Sequence, residues 1–315
     1  MTLHQGVPVA NRSYKAGFPI DSRDRKVPVI PPEGERIRLI IDSDAKNEID
    51  DQWAIAMAIL SPERFQIEGF VGANFDNEGG GPYGVERSVL EIETVLAKAG
   101  MAGRWPVYPG SHPMRYQFEP SPSAGVDFIV ERALASTPDD PLWVVGLGAA
   151  TDMASALLIE PEIIDRMVAF WHLRTRWPEK CYNFNVFGDV RAARLLFHTP
   201  VPFVLFDTGT YLRCPMAESE REIAPYGALG AYLHSYRERN PWYADPRKGF
   251  YDLGDVAALL DPDLACWDVT SCPEVDWDLT YHFKETKGSI LRCYHVDRDR
   301  TFEHLYRKLQ AHSGG

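Results

Sequence analysis

The sequence is poor in the features that define several large protein classes. Its five cysteines are scattered, odd in number and free of any Cys-x-x-Cys pair, which disfavours a disulfide framework and thiolate zinc sites. No apolar run is long enough to span a bilayer. The first 15 residues lack the continuous apolar segment of a secretory signal. These absences predict a reduced, cytoplasmic protein with no role in a membrane.

Positive charge is also scarce. The chain has 33 basic residues against 45 acidic ones, and its formal net charge is -12. Nucleic acids and anionic membranes attract basic surfaces, so neither is expected as the main partner. A small anionic ligand that meets a local basic loop remains compatible with this balance. We therefore expect the partner to be a small molecule.

What the chain does contain is an ordinary globular composition, with 45% hydrophobic and 25% charged residues among 315. Residues 1–34 are rich in proline, arginine, lysine and aspartate, and predict an irregular N-terminal arm. Residues 35–315 are expected to form one domain, with two domains as the weaker option. Strand and helix patterns alternate there, which predicts an α/β fold with an open, mostly parallel, Rossmann-like sheet flanked by helices.

An acidic loop connects the first predicted strand, which ends near Ile41, to a helix predicted from Asp50 to Leu60. Ligands bind outside the carboxyl ends of strands in such sheets, and this loop lies at such an end. Carboxylates packed closely repel one another, and a hard cation such as Ca²⁺, which prefers oxygen ligands, removes that conflict. The alternative is a solvated turn that caps the helix. The loop's acidic residues are Asp42, Asp44, Glu48, Asp50 and Asp51.

Further motifs follow the acidic loop in a set order. They are Val71-Gly72-Ala73-Asn74, Leu147-Gly148-Ala149-Ala150-Thr151-Asp152, Ile159 to Arg166, Asn183-Phe184-Asn185 with Asp189, and Asp252 nine residues before Asp261-Pro262. With the acidic loop, this order resembles the inosine-uridine nucleoside hydrolase (N-ribohydrolase) family over roughly Ile37 to Pro262. The family's acidic pattern is Asp-x-Asp-Pro-Gly-x-Asp-Asp. Here two extra residues separate its halves, as in a divergent member.

The resemblance implies a nucleoside hydrolase fold and a calcium-dependent hydrolase. It would cleave the N-glycosidic bond of ribonucleosides or related ribosides, releasing a base and ribose or a 5-modified ribose. The implied Ca²⁺ ligands are Asp44, Asp51, the carbonyl of Leu147, and Asp252. Asp44 would also accept a proton from the attacking water, and Asp42 would fix the loop from behind the ligands. A homodimer or homotetramer is expected.

The resemblance also assigns contacts with the sugar. Asp50 would hold the ribose 2-hydroxyl, Asn74 and Asn185 would hydrogen-bond the ribose or its metal ligands, and Asp252 would touch the substrate as well as the metal. An alternative for Asn74 is a simple strand terminator. Asp255, three residues after Asp252, is expected to cap the helix that follows.

The residues expected to contact the two ends of the substrate, the ribose 5-hydroxyl and the base, depart from the family pattern. Asn183 and Trp177 stand where the family has a glutamate and an asparagine that contact the ribose 5-hydroxyl, and Tyr251 replaces a histidine tied to leaving-group protonation. His172 could protonate a leaving base, since imidazole titrates near neutral pH, or could be purely structural. The aromatic residues before Asp252 could stack on a base or simply pack; they are Trp242, Tyr243, Phe250 and Tyr251.

The loop from Arg174 to Lys180 carries three cations. Guanidinium groups at Arg174 and Arg176, beside the lost glutamate, would suit an anionic or enlarged 5-substituent. A basic surface loop is the alternative.

Two other functional classes stay open. One is a metal-dependent phosphatase with an aspartyl nucleophile, which the order of the downstream motifs disfavours. The other is a catalytically inactive sugar-binding relative. The changed residues at the base and 5-hydroxyl positions are compatible with this alternative.

Overall fold

The computed structural model describes residues 25–76, 80–283 and 288–314. Its strands are β1 Ile37–Ser43, β2 Phe65–Gly72, β3 Val107–Pro109, β4 Leu142–Gly146, β5 Met167–Leu173, β6 Phe203–Asp207, β7 Ala265–Ser271, β8 Glu274–Val275, β9 Tyr281–His282 and β10 Ser289–Val296. Its helices are α1 Asp50–Ile59, α2 Gly84–Lys98, α3 Ala124–Leu134, α4 Thr151–Ile159, α5 Phe184–Gly188, α6 Val190–His198, α7 Met216–Glu222, α8 Gly227–Tyr236, α9 Pro241–Ala244, α10 Leu253–Leu260 and α11 Arg298–Ser313.

Eight strands form one sheet in the order β3-β2-β1-β4-β5-β6-β10-β7, and β8 pairs with β9 in a separate hairpin. Every neighbouring pair in the large sheet is parallel except β10 with β7. The predicted α/β fold with a mostly parallel sheet is thus confirmed. The chain leaves β1 toward β2 on one side and returns to β4 on the other, so the strand order reverses between β1 and β4. Such a switch point is where open α/β sheets bind ligands.

Helices cover both faces of the sheet, because the strands are apolar on both sides. Helices α1, α2, α8, α10 and α11 pack on one face, while α3, α4 and α6 pack on the other. Every residue of α1 is buried. Its Trp53 packs on Phe250 with ring centroids 4.0 Å apart. This contact ties the helix after the acidic loop to the segment before Asp252.

The predicted strand that ends near Ile41 and the predicted helix from Asp50 to Leu60 match β1 and α1 within about two residues. The last helix, α11, begins at Arg298, because the Asp297 side chain caps it by accepting from the Arg300 amide. Helix α8 buries Leu229 and Leu233 in the core beneath the sheet.

The N-terminal arm enters the structure at Arg25, since residues 1–24 lie outside the described residues. Residues 25–34 form no helix or strand. The buried Arg25 guanidinium donates to backbone carbonyls at the end of α6, including that of Phe197 at 2.9 Å. Among the described residues, no helix combines the length and apolar character needed to cross a membrane.

Candidate active site

A cavity with an open volume of about 550 Å³ lies at the carboxyl ends of the central strands. Strand β1 leads into its floor, β4 and β5 supply one wall, and the start of α10 supplies another. Its lining residues are Asp44, Asn47, Glu48, Asp50, Asp51, Leu147, His172, Arg174, Asn183, Phe184, Asn185, Tyr251 and Asp252. Most of the residues predicted to form the site therefore meet in one place, although they come from distant segments.

Four aspartates form the floor of this cavity, and each is almost fully buried: Asp44, Asp50, Asp51 and Asp252. Carboxylate oxygens of the last three lie within 4.8 Å of one another. The Ser43 hydroxyl donates to Asp51 at 2.5 Å, and the Asn47 amide donates to Asp44 at 3.0 Å. Gly148 lets the turn after β4 approach Asp44, since a Cβ there would lie 3.1 Å from the Asp44 Cβ.

The electrostatics of the floor favour a bound cation. Burial, together with repulsion among the neighbouring aspartates, raises the pKa of Asp44 and of Asp252 well above the ordinary value. The same causes raise the pKa of Asp51 to about 7. Leu147 lines the same cavity, and the carboxylates offer only oxygen ligands, as a hard divalent cation prefers. The residues present therefore fit the predicted metal site.

Asp50 is held more firmly than the predicted sugar contact requires. One oxygen accepts from the Lys248 ammonium at 3.0 Å, and the other accepts from the amides of Tyr251 at 3.0 Å and Asp252 at 3.4 Å. Asp50 therefore joins the acidic loop to the start of α10. Any contact between Asp50 and the sugar would be additional to these three hydrogen bonds.

Lys248 was not predicted from the sequence. Its side chain is fully buried, and its nitrogen lies 2.6 Å from Glu48 and 3.0 Å from Asp50 while also donating to the Gly249 carbonyl. Burial alone would lower its pKa, but attraction to Asp50 and Glu48 holds that pKa above the ordinary value. A single lysine that belongs to none of the matched motifs carries no sequence signal. Its carboxylate partner Glu48 belongs to the lengthened acidic loop.

His172 and Asp255 form a buried pair beside the metal ligands. The His172 Nδ1 lies 2.6 Å from Asp255 and 3.5 Å from Asp252. The expectation that Asp255 caps the following helix is wrong, because α10 already begins at Leu253 and the Asp255 carboxylate turns toward the imidazole. Burial raises the pKa of Asp255 to about 6, although His172 opposes the shift.

Asn185 and Asn183 both line the cavity, and the Asn185 amide is already engaged. It donates to the Leu147 carbonyl at 2.6 Å and to the His172 carbonyl at 3.1 Å. Asn185 thus positions the carbonyl predicted as a metal ligand. Asn183 caps α5, where its side-chain oxygen accepts from the backbone N–H of Asn185.

A second cavity, with an open volume of about 910 Å³, adjoins the first and shares Asp44, Phe184 and Asn185 with it. Its walls come from the loops after β2 and β3 and from α5, so the sequence motifs supplied Asn74, Phe184 and Asn185 but not the loop after β3. Asn74 lines it, and the Asn74 side-chain oxygen is buried with no hydrogen-bond partner among the described residues. Phe75, His112 and Phe187 also line this second cavity.

Some predicted residues lie outside both cavities. Trp177 packs edge-on against Tyr281 and Phe283, and the Arg176 guanidinium lies over the Tyr182 ring. The predicted substrate contacts of Trp177 and Arg176 are therefore not supported by the structure. Asp42 lies behind the floor, fully buried and without a hydrogen-bond partner among the described residues, where burial and repulsion from Asp152 raise its pKa well above the ordinary value.

The aromatic residues before Asp252 lie in different parts of the structure. Phe250 is fully buried in the core, and Tyr243 stacks on Tyr236. Among these residues only Tyr251 lines the cavity, where Lys248 and Arg174 lie 4.5 Å and 4.6 Å from its ring centroid.

This geometry agrees with comparisons to known proteins. The family model for inosine-uridine preferring nucleoside hydrolase matches residues 39–307, and the chain belongs to that family. It is therefore a hydrolase that acts on N-glycosyl compounds, and its family is metal-dependent. The pyrimidine-specific ribonucleoside hydrolase RihB of Escherichia coli (strain SE11) is 23% identical over 261 residues, covering 73% of this chain and 80% of that protein.

Solved structures are similar in fold. A plant nucleoside hydrolase, PpNRh1, superposes with a TM-score of 0.68 at 18% identity, covering 88% of this chain and 100% of that one. The purine-preferring ribonucleoside hydrolase from Gardnerella vaginalis superposes with a TM-score of 0.66 at 20% identity, covering 88% and 99%. At these identities the likeness supports the fold alone.

Replacing Lys248 with methionine should destabilise the protein by about 3–5 kcal/mol, because Asp50 and Glu48 would lose their buried counter-ion. Urea unfolding followed by fluorescence measures this change. The neighbouring Arg247→Met variant is the control, since Arg247 is exposed and pairs only with Asp245 among the described residues. Equal stability of Lys248→Met and the parent would contradict the assignment.

With metal removed by a chelator, the protein should lose thermal stability as pH rises from about 5.5 to 8. The raised pKa values of Asp44, Asp51 and Asp252 mean that the folded state binds more protons than the unfolded state above pH ~4, so stability falls with rising pH. Added Ca²⁺ should restore more of the melting temperature at pH 8, because it binds ionised carboxylates.

Thermal melts in a chelator, and again with Ca²⁺, measure both effects, and Asp51→Asn should reduce them. A melting temperature in chelator that is as high at pH 8 as at pH 5.5 would count against the buried cluster.

Proposed function

We propose that the protein is a calcium-dependent hydrolase of the N-glycosidic bond of ribosides. The observation that carries the proposal is the burial of the Asp44, Asp51 and Asp252 carboxylates together on the floor of one cavity, which Leu147 also lines. Burying several like charges is unfavourable unless a cation compensates them. The membership of the chain in a metal-dependent family of nucleoside hydrolases supports the same conclusion.

Ca²⁺ at this site would orient the sugar hydroxyls and make a water molecule more acidic. The water oxygen forms a bond to the anomeric carbon while the bond from that carbon to the base nitrogen breaks with its electron pair. The Asp44 carboxylate accepts one proton from the water. Cleavage passes through an oxocarbenium-like sugar, which the neighbouring carboxylates stabilise electrostatically.

The leaving base must gain a proton, and His172 is our proposed donor. Its Nδ1 is held by Asp255, so Nε2 is the ring nitrogen left for a ligand in the cavity. An imidazole oriented by a carboxylate is a common acid–base device. Tyr251, which lines the same cavity, is the second candidate.

The base is proposed to reach into the second cavity from its junction with the first at Asp44, Phe184 and Asn185, so that the nitrogen bonded to the sugar still faces the first cavity and His172. Phe184 and Phe187 present exposed rings there, and Phe75 adds a third aromatic side chain. Aromatic rings stack on nucleobases through their faces. Asn74 and His112 supply polar atoms beside them, so this cavity combines stacking with hydrogen bonding.

The relatives support a riboside substrate without deciding the base. One relative is named pyrimidine-specific and another purine-preferring. The phosphatase alternative is not favoured by the family match. The cytoplasmic location and the homodimer or homotetramer stay predictions.

A screen of ribosides for release of free ribose, with and without Ca²⁺, tests the proposed function. We expect turnover of at least one riboside, loss of turnover in a chelator, and recovery when Ca²⁺ is restored. Calcium-dependent binding of free ribose without turnover of any riboside would instead support an inactive sugar-binding relative. Release of phosphate from phosphate esters without riboside cleavage would support a phosphatase.

Asp44→Ala should reduce kcat by about 10²- to 10⁴-fold, because both a metal ligand and the proposed base are lost. Asp42→Ala should lose less, since Asp42 lies behind the floor and lines neither cavity. Steady-state kinetics on the best riboside, with melting curves to confirm folding, compare the two variants. The proposed mechanism fails if Asp44→Ala keeps the parent's kcat.

A further inference from the structure

The two adjoining cavities give the site chemically different ends. They meet at Asp44, Phe184 and Asn185, beside the carboxylate floor. The second cavity is aromatic, whereas the first contains the guanidinium of Arg174. A riboside bound through its sugar at the floor, with its base in the aromatic cavity, leaves the far end of the ribose for the first cavity.

Arg174 is the notable residue of that far end. It directly follows β5, is exposed, and has no carboxylate within ion-pair distance among the described residues. Its guanidinium lies 4.6 Å from the Tyr251 ring centroid, a contact that leaves the hydrogen-bond donors at its edge available. By contrast, Lys180 in the same loop is paired with Asp278 at 2.8 Å. Arg174 is thus an uncompensated cation on the wall of an otherwise acidic cavity.

Asn183 adds a second donor on the same wall. Its side-chain oxygen accepts from the backbone N–H of Asn185 at 2.8 Å, so the side-chain nitrogen is the end of the amide left for a ligand. The Asn183 amide nitrogen has no hydrogen-bond partner in the part of the chain that the structure describes. The guanidinium of Arg174 and the side-chain amide of Asn183 thus both supply hydrogen-bond donors to the first cavity.

We propose that Arg174 binds a phosphate carried on the 5-position of the ribose, so that the preferred substrates are 5-phosphorylated ribosides. This inference rests on the proposed function. A guanidinium matches phosphate in charge and in planar, bidentate geometry. The sugar ring separates the phosphate from the carboxylate floor, and a bound divalent cation cancels two of the floor's charges.

The test compares inosine and uridine with their 5-monophosphates, using the calcium-loaded protein and measuring release of the free base. The parent protein should have the higher kcat/KM for the monophosphates. Arg174→Gln should lower kcat/KM for the monophosphates by about 10- to 100-fold, mainly through KM, since a hydrogen-bonded charge pair would be lost. Arg174→Lys should recover part of this loss.

Lys180→Gln is the matched control, because it removes one positive charge from the same loop outside both cavities. It should leave the ratio of kcat/KM between monophosphate and nucleoside unchanged. A parent that prefers the plain nucleosides, with the same ratio in Arg174→Gln, would overturn the inference and leave the proposed function standing.

If no riboside is hydrolysed, the proposed function fails, and calorimetric binding of ribose 5-phosphate and of ribose decides the inference. Tighter binding of ribose 5-phosphate that Arg174→Gln selectively weakens would support the phosphate site. Equal affinity for the two sugars would contradict it.

Discussion

The site depends on like charges that the fold buries together. Strand β1 carries Asp44 into the protein, helix α1 begins with Asp50 and Asp51, and α10 follows Asp252. Burial and mutual repulsion raise the pKa of Asp44, Asp51 and Asp252. The neighbouring polar contacts hold these carboxylates in place, but they do not remove the excess negative charge. A divalent cation is the simplest group that does.

Part of that charge is balanced within the chain. Lys248 neutralises the Asp50 and Glu48 end, so the floor divides into an internally compensated part and a part left to a metal. Asp50 then connects the acidic loop to the backbone before α10 through the amides of Tyr251 and Asp252. In this arrangement Asp50 holds together the two chain segments that supply the proposed metal ligands.

Much of this could be predicted because it is local in sequence. The alternation of strands and helices predicts a parallel sheet, and an acidic loop after an apolar strand predicts a ligand site at its carboxyl end. Lys248, Asp255 and the second cavity were missed or misassigned because their partners are distant in sequence. Asp255 follows the spacing of a helix cap, but the meeting of β5 with α10 places its carboxylate against His172.

The loop from Arg174 to Lys180 shows the same limit of prediction from sequence. Arg174 and Arg176 are two residues apart, and composition alone treats them alike. The structure directs Arg174 into the cavity and Arg176 onto Tyr182. Trp177 joins a packing cluster with Tyr281 and Phe283. Which side chains of a loop face a ligand is decided by tertiary contacts that a sequence pattern does not contain.

A crystal structure of the protein grown with Ca²⁺ tests the central claim most directly. One Ca²⁺ should lie roughly 2.3 to 2.6 Å from carboxylate oxygens of Asp44, Asp51 and Asp252 and from the Leu147 carbonyl oxygen. An ion bound elsewhere, or an Asp252 carboxylate turned away from an ion held by Asp44, would contradict the account.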